Sequence, residues 1–153
     1  MDKTICRFTE GMITLPQGYC ERTLNTLAGT RSTLPPITIS RDKLGDHNNP
    51  EEYILSQLAI LQKQMKDWQQ EVHQPVVLGN NLTTGIMITY DFLRPDNLRL
   101  YQKQAVFTLN MDDLLIFSLS KASPISAADL QIFSDTLETV SYTHLTLPTT
   151  ERV

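Results

Sequence analysis

Between Asn49 and Trp68 the apolar residues recur with a helical period. Ile54, Leu58, Leu61, Met65 and Trp68 follow one another at steps of four, three, four and three, which lines one side of a helix. Asn49-Pro50-Glu51-Glu52 is its start. Asn caps the free amides, Pro suits the first helical position, and acids favour the positive end of the helix dipole. Leu55, Ala59 and Ile60 fall outside the stripe, so the apolar arc is wider than a helix resting on one sheet requires. This helix is expected to touch more than one surface.

Elsewhere the period is two. KTICRF and GMITLP read as short strands, closed by Pro16 and a turn at Gln17-Gly18. ERTLNTLA alternates, with Leu24 and Thr26 on one side and Thr23, Asn25 and Leu27 on the other. ITIS, residues 37–40, is a β-branched strand, and RDKLGDHNN a polar connection. After His73-Gln74-Pro75, VVLGNNLTTGIMITYDFL reads as a hairpin with Ile86, Ile88, Tyr90 and Phe92 on one face. LRLYQKQAVFTLN and LLIFSLSKA continue an antiparallel meander. Ser126 and Asp129 have capping-box spacing ahead of a second helix with Leu130, Phe133 and Leu137. Strands, helix, strands, helix argues for an α+β fold, an antiparallel sheet packed with two main helices. Residues 1–140 read as one domain. The last stretch, VSYTHLTLPTTERV, continues neither pattern, and 141–153 is expected to be a non-native or disordered tail in which Tyr142 and His144 have no role.

Composition narrows the function. The chain has 153 residues, 41% hydrophobic and 20% charged, enough for one ordinary core. Its formal net charge is −4 and it has no basic stripe, which argues against nucleic acid as a partner. The opening MDKTICRFTEG has no signal-peptide core and no apolar run approaches a membrane span, so a cytoplasmic protein without direct membrane insertion is expected. Cys6 and Cys20 lack metal-site spacing, and the count alone leaves their pairing open. The three histidines are scattered, and no nucleophile motif, phosphate loop or dinucleotide fingerprint is present. The acid pairs Glu51-Glu52 and Asp112-Asp113 sit at a helix start and a turn, where they need no catalytic explanation. No enzyme, no metal and no cofactor are expected.

Several segments together resemble the Eag chaperones, effector-associated proteins of bacterial type VI secretion systems. They are ITLPQGY, ERTLNTL, ITISRD, PEEYILSQLAILQKQM and LRLYQKQAVF, in this order and spacing, within residues 5–137. The most specific part is ISRD, a short polar loop, and Tyr53-x-x-x-Gln57-Leu58 on the helix. The resemblance implies a PsbP/Mog1/DcrB-like fold, a homodimer, no catalysis and no cofactor. It implies a client as well, the N-terminal transmembrane segment of an effector with a PAAR domain and often an Rhs region, held soluble until it is loaded on the secretion spike. A non-catalytic Mog1/DcrB-like interaction module with a soluble partner is the alternative.

By position, the resemblance puts groove glutamines at Gln57 and Gln104. Leu61 and Met65 are placed beside Gln57 along the helix, and Leu100 and Val106 share a strand face with Gln104. Leu24, Thr26 and Thr38 join from the earlier strands, the threonines standing where aliphatic residues are common in the family. Gln102 is rim. Amides suit such a groove because they donate and accept hydrogen bonds without the desolvation cost of a charge. Gln104→Ala is accordingly expected to leave folding largely intact and weaken client retention.

Overall fold

The computed structural model describes residues 5–142. Among these, eleven elements run in the order β1 (Ile5–Phe8), β2 (Gly11–Thr14), β3 (Leu24–Leu27), β4 (Ile37–Lys43), α1 (Pro50–Gln64), β5 (Lys66–Gln70), β6 (Gln74–Leu78), β7 (Thr83–Leu93), β8 (Arg99–Thr108), β9 (Asp113–Lys121) and α2 (Ala127–Glu138). β1 and β2 form a separate hairpin. The other strands make one antiparallel sheet in the order β3-β4-β9-β8-β7-β5, and β6 pairs with β7 alongside β5. The α+β expectation holds. The tail expectation for 141–153 lies, from residue 143 on, outside the described residues.

The two helices take opposite faces of the sheet. Because strand side chains alternate, each strand feeds two cores. Val106 of β8 joins Ile88, Tyr90, Phe92 and Leu114 under Tyr53, Ile54 and Leu58 of α1. Its neighbours Ala105 and Phe107 point the other way, into a cluster with Leu78, Phe117, Leu119 and the Phe133 and Leu137 of α2. The register, with Ile88 opposite Gln104 and Gln104 opposite Ser118, fixes which residues share the α1 face.

Both helix starts are built as the sequence foretold. The Asn49 side chain accepts from the Glu52 amide at 2.9 Å, with Pro50 in the first turn. Ser126 and Asp129 form the reciprocal capping box, and Asp129 also accepts from Lys121 Nζ at 2.6 Å. Asp129 is 5% exposed. Donation by Lys121 holds its carboxyl below the usual carboxylate range, against the opposing effect of burial.

Two expectations need correction. The helical stripe does not run to Trp68: α1 ends at Gln64, Met65 is an extended cap, and Trp68 lies on β5. The chain turns at Asp67, whose φ of 51° no helix continues through. Trp68 then stacks on Tyr90 and Phe92 of the neighbouring strand, with ring centroids 4.9 and 5.6 Å apart. That aromatic burial outweighs one more helical turn. The strand after ITIS also extends through Arg41–Lys43, because β9 is long enough to pair every residue to Lys43.

Candidate functional site

The α1 side of the sheet is only partly covered. α1 lies over β7 and β8 and reaches Ile116 of β9, while β3, at the sheet edge beyond β4, is exposed along its length. At the helix edge the gap opens into a cavity of about 270 Å³. Gln57, Ile60, Leu61 and Gln64 of α1 form its upper wall, and Ile88, Tyr90, Gln104, Val106 and Ile116 its floor. None of the lining side chains carries a charge. The helix wall follows from spacing: Gln57, Leu61 and Gln64 are one and two turns apart on one side.

Gln104 is the centre of the floor. Its Nε2 donates to Ser118 Oγ at 3.0 Å, and its Oε1 accepts from the Tyr90 hydroxyl at 3.4 Å. Tyr90 is 4% exposed, and burial pushes its phenol up to about 12. It therefore stays a neutral donor at any physiological pH. These bonds use one hydrogen of the Gln104 amino group and one lone pair of its carbonyl, which leaves one donor and one acceptor direction open. Tyr53, at the far wall, donates to Asp42 Oδ2 at 2.6 Å; burial and that carboxylate raise its pKa strongly.

A cross-strand row continues the floor into the open half of the sheet. Thr26 pairs with Thr38, Thr38 with Ser118, Ser118 with Gln104, and Gln104 with Ile88. A parallel row runs from Leu24 through Ser40, Ile116 and Val106 to Ile86. The surface is thus a stripe of hydroxyls and an amide beside a stripe that is mostly aliphatic. Leu24 is 60% exposed at its outer end.

Of the residues the sequence singled out, Gln57, Leu61, Gln104 and Val106 meet in the cavity. Leu24, Thr26 and Thr38 share its face through the rows but do not line it. Met65 and Leu100 do not reach it. They pack, half-buried, on the core cluster that holds Phe92. Met65 misses because the helix has ended, so the i+8 position no longer lies two turns along. Gln102 sits on the same face, opposite Tyr90 and Ser120. Sequence reasoning missed Gln64 and Ser118. Helical spacing from Gln57 would have found Gln64, whereas Ser118 becomes visible only with the β8–β9 register.

Cys6 and Cys20 are free thiols. Among the described residues, no three His, Cys, Asp or Glu side chains cluster as metal ligands, and no helix is long and apolar enough to cross a membrane.

The family model described as DcrB matches residues 10–139. Among solved structures the chain is similar to PA94 from Pseudomonas aeruginosa, a protein of unknown function, with 19% identity over 92% of this chain and 96% of that one and a TM-score of 0.62. It is also similar to the cyanobacterial PsbP (CyanoP) of Synechocystis sp. PCC 6803, with 11% identity over 88% and 89% and a TM-score of 0.46. No curated protein sequence matches it. At 19% identity the likeness to PA94 speaks to the fold alone.

Proposed function

This chain belongs to the DcrB family, and from that premise we propose that it is a non-catalytic cytoplasmic chaperone for apolar helices. Its client is the N-terminal transmembrane segment of a PAAR- or Rhs-containing type VI effector, bound before loading on the secretion spike. The observation that carries this reading is the uncharged groove in which Gln57 and Gln104 face an aliphatic wall. A membrane helix in water exposes apolar area worth roughly 25 cal/mol per Å². Membrane helices associate through small residues and through neutral polar side chains that bond across the interface. The aliphatic row supports cover for the apolar area. The Thr26–Thr38–Ser118–Gln104 row offers neutral hydrogen-bond partners, which fits a client helix with small polar residues. The same resemblance that suggests the client suggests a homodimer.

The groove's modest volume favours a second reading. About 270 Å³ holds side chains of a docked surface and does not enclose a helix. A family module that binds a folded soluble partner would need no more.

Co-expression with a tagged effector fragment carrying the membrane helices separates the two. Stable co-elution without detergent, lost in Gln57→Ala while thermal melting is unchanged, is the outcome expected of the chaperone. A fragment that aggregates while this protein stays folded and alone would count against it, and leave the soluble-partner module as the better account.

A further inference from the structure

The two edges of the seven-stranded sheet are built differently. At one edge β5 and β6 lie end to end along β7. Lys66, Pro75 and a register shift between Lys66 and Gln69 mark that edge. Lysine, proline and a bulge are devices that stop an exposed strand from pairing with another chain. At the other edge β3 has none of them. Its sequence, LNTL, is uncharged, and it pairs with β4 in unbroken register. Arg22, bonded to Asp42 at 2.9 Å, carries that alignment further back along the chain. Among the described residues no backbone group bonds to the outer side of β3.

The surroundings of β3 are equally uncovered. From residue 5 to residue 33 every residue except Cys6 and Leu15 is exposed. Phe8, Met12, Ile13, Tyr19, Leu24 and Leu27 are large apolar side chains among them, 45–70% exposed. β1 and β2 pair only with each other, and a two-stranded hairpin is marginal in water without a further surface. A stable interface takes roughly 20–30 residues from each side, the size of this segment.

An open antiparallel edge is complementary to itself, because a two-fold axis turns it to meet its own copy. Thr26 suits that axis. Glu21 and Arg31, five residues to either side of it, carry opposite charges, so antiparallel pairing centred on Thr26 brings unlike charges together at both ends. Thr opposite Thr is also a favourable cross-strand pair. Directly opposite residues share a face, so this axis leaves both α1 helices on the same side of the sheet.

We propose that two copies of this chain join through β3, antiparallel and centred on Thr26, into one continuous sheet. The row Gln104–Ser118–Thr38–Thr26 then runs on into its copy in reverse order. Spanning four strands of each copy, the joined row is about 34 Å long at roughly 4.8 Å per strand. A membrane-spanning helix of about 20 residues is about 30 Å long. The joined floor thus reaches the length of such a helix, which one groove alone does not. What the floor holds rests on the chaperone reading; the pairing does not.

Light scattering on the full chain is expected to show twice its 17.4 kDa. Thr26→Lys sets two ammonium groups opposite one another at an exposed position. The chain should stay folded by circular dichroism while its dimer affinity falls at least about tenfold. In a Cys6→Ser, Cys20→Ser background, Thr26→Cys should form a covalent dimer on mild oxidation, because directly opposite residues lie about 4.5–5.5 Å apart, within disulfide reach. Val72→Cys, at an 85% exposed position away from β3, should not. A chain that stays monomeric at its highest soluble concentration would overturn the proposal. So would a dimer that Thr26→Lys leaves intact and Thr26→Cys does not cross-link. Co-elution with the client fragment tests the chaperone reading separately. A β3-linked dimer that retains no client would sink that reading and uphold the pairing, whereas full client retention by monomeric Thr26→Lys would refute the joined floor.

Discussion

Gln104 and Tyr90 should be energetically coupled, and a double-mutant cycle would measure it. The Tyr90 hydroxyl is buried and Gln104 Oε1 is its partner at 3.4 Å. Gln104→Leu keeps most of the side-chain volume, so the cavity contribution is small, but it strands that hydroxyl. An unsatisfied buried hydroxyl costs roughly 1–3 kcal/mol, and a bond this long belongs at the lower end, about 1 kcal/mol. Ser118 loses a donor too, yet it is half-buried and can turn to water. Tyr90→Phe removes the donor and leaves Gln104, also half-buried, able to do the same, for about 0.5 kcal/mol. Removing both groups leaves nothing stranded. The double variant should therefore be about 1 kcal/mol more stable than the sum of the singles predicts, a Tm difference of roughly 3–5 °C in a domain of this size. Urea unfolding followed by far-ultraviolet circular dichroism is the suitable assay. Trp68, the single tryptophan, stacks on Tyr90, and its fluorescence would move with the mutation itself. Additivity within about 0.3 kcal/mol would refute the reasoning. The same geometry revises the expectation that Gln104→Ala spares folding. A client-binding defect in that variant must be read against its melting curve, and Gln57→Ala is the cleaner probe.

Gln57 is exposed, so Gln57→Ala should change stability by no more than about 0.5 kcal/mol in urea unfolding while client co-elution falls. Asp129→Ala removes the reciprocal half of the α2 capping box, leaving the Ser126 cap itself, and strands Lys121, which is 20% exposed; a loss of about 2–4 kcal/mol in the same unfolding assay is expected. Because the Asp129 carboxyl is held low in the folded state, its contribution is complete above the ordinary aspartate pKa, near 4, and disappears as pH falls through the depressed value; acid titrations of the wild type and Asp129→Asn should diverge there. Tyr90, raised to about 12, contributes in the opposite sense: its stabilisation is complete below about 10 and is lost as pH climbs through 12. Tyrosinate absorbance should show Tyr90 and Tyr53 ionising above the ordinary tyrosine range, near 10, and Tyr90→Phe should delete one late step.

Periodicity and local chemistry settled much of this protein in the sequence. The Asn49 and Ser126 caps, the hairpin turn after Leu78, and the alternation of Ile88, Tyr90 and Phe92 are short-range facts, and each element stands where its residues put it. Gln57 with Leu61, and Gln104 with Val106, were likewise legible as pairs, because helix and strand spacing fix which neighbours share a side. What brought the pairs together was tertiary. The seven-strand order and the register of β8 against β9 seat Ser118 beside Gln104, a contact between residues far apart in the chain. Trp68 shows the limit most directly: its spacing from Met65 is helical, but stacking on Tyr90 and Phe92 makes a strand the lower-energy choice. Lys103 shows it in charge. A lysine in an alternating strand reads as solvent-facing, and only the packing of α2 over the second face of the sheet makes it half-buried.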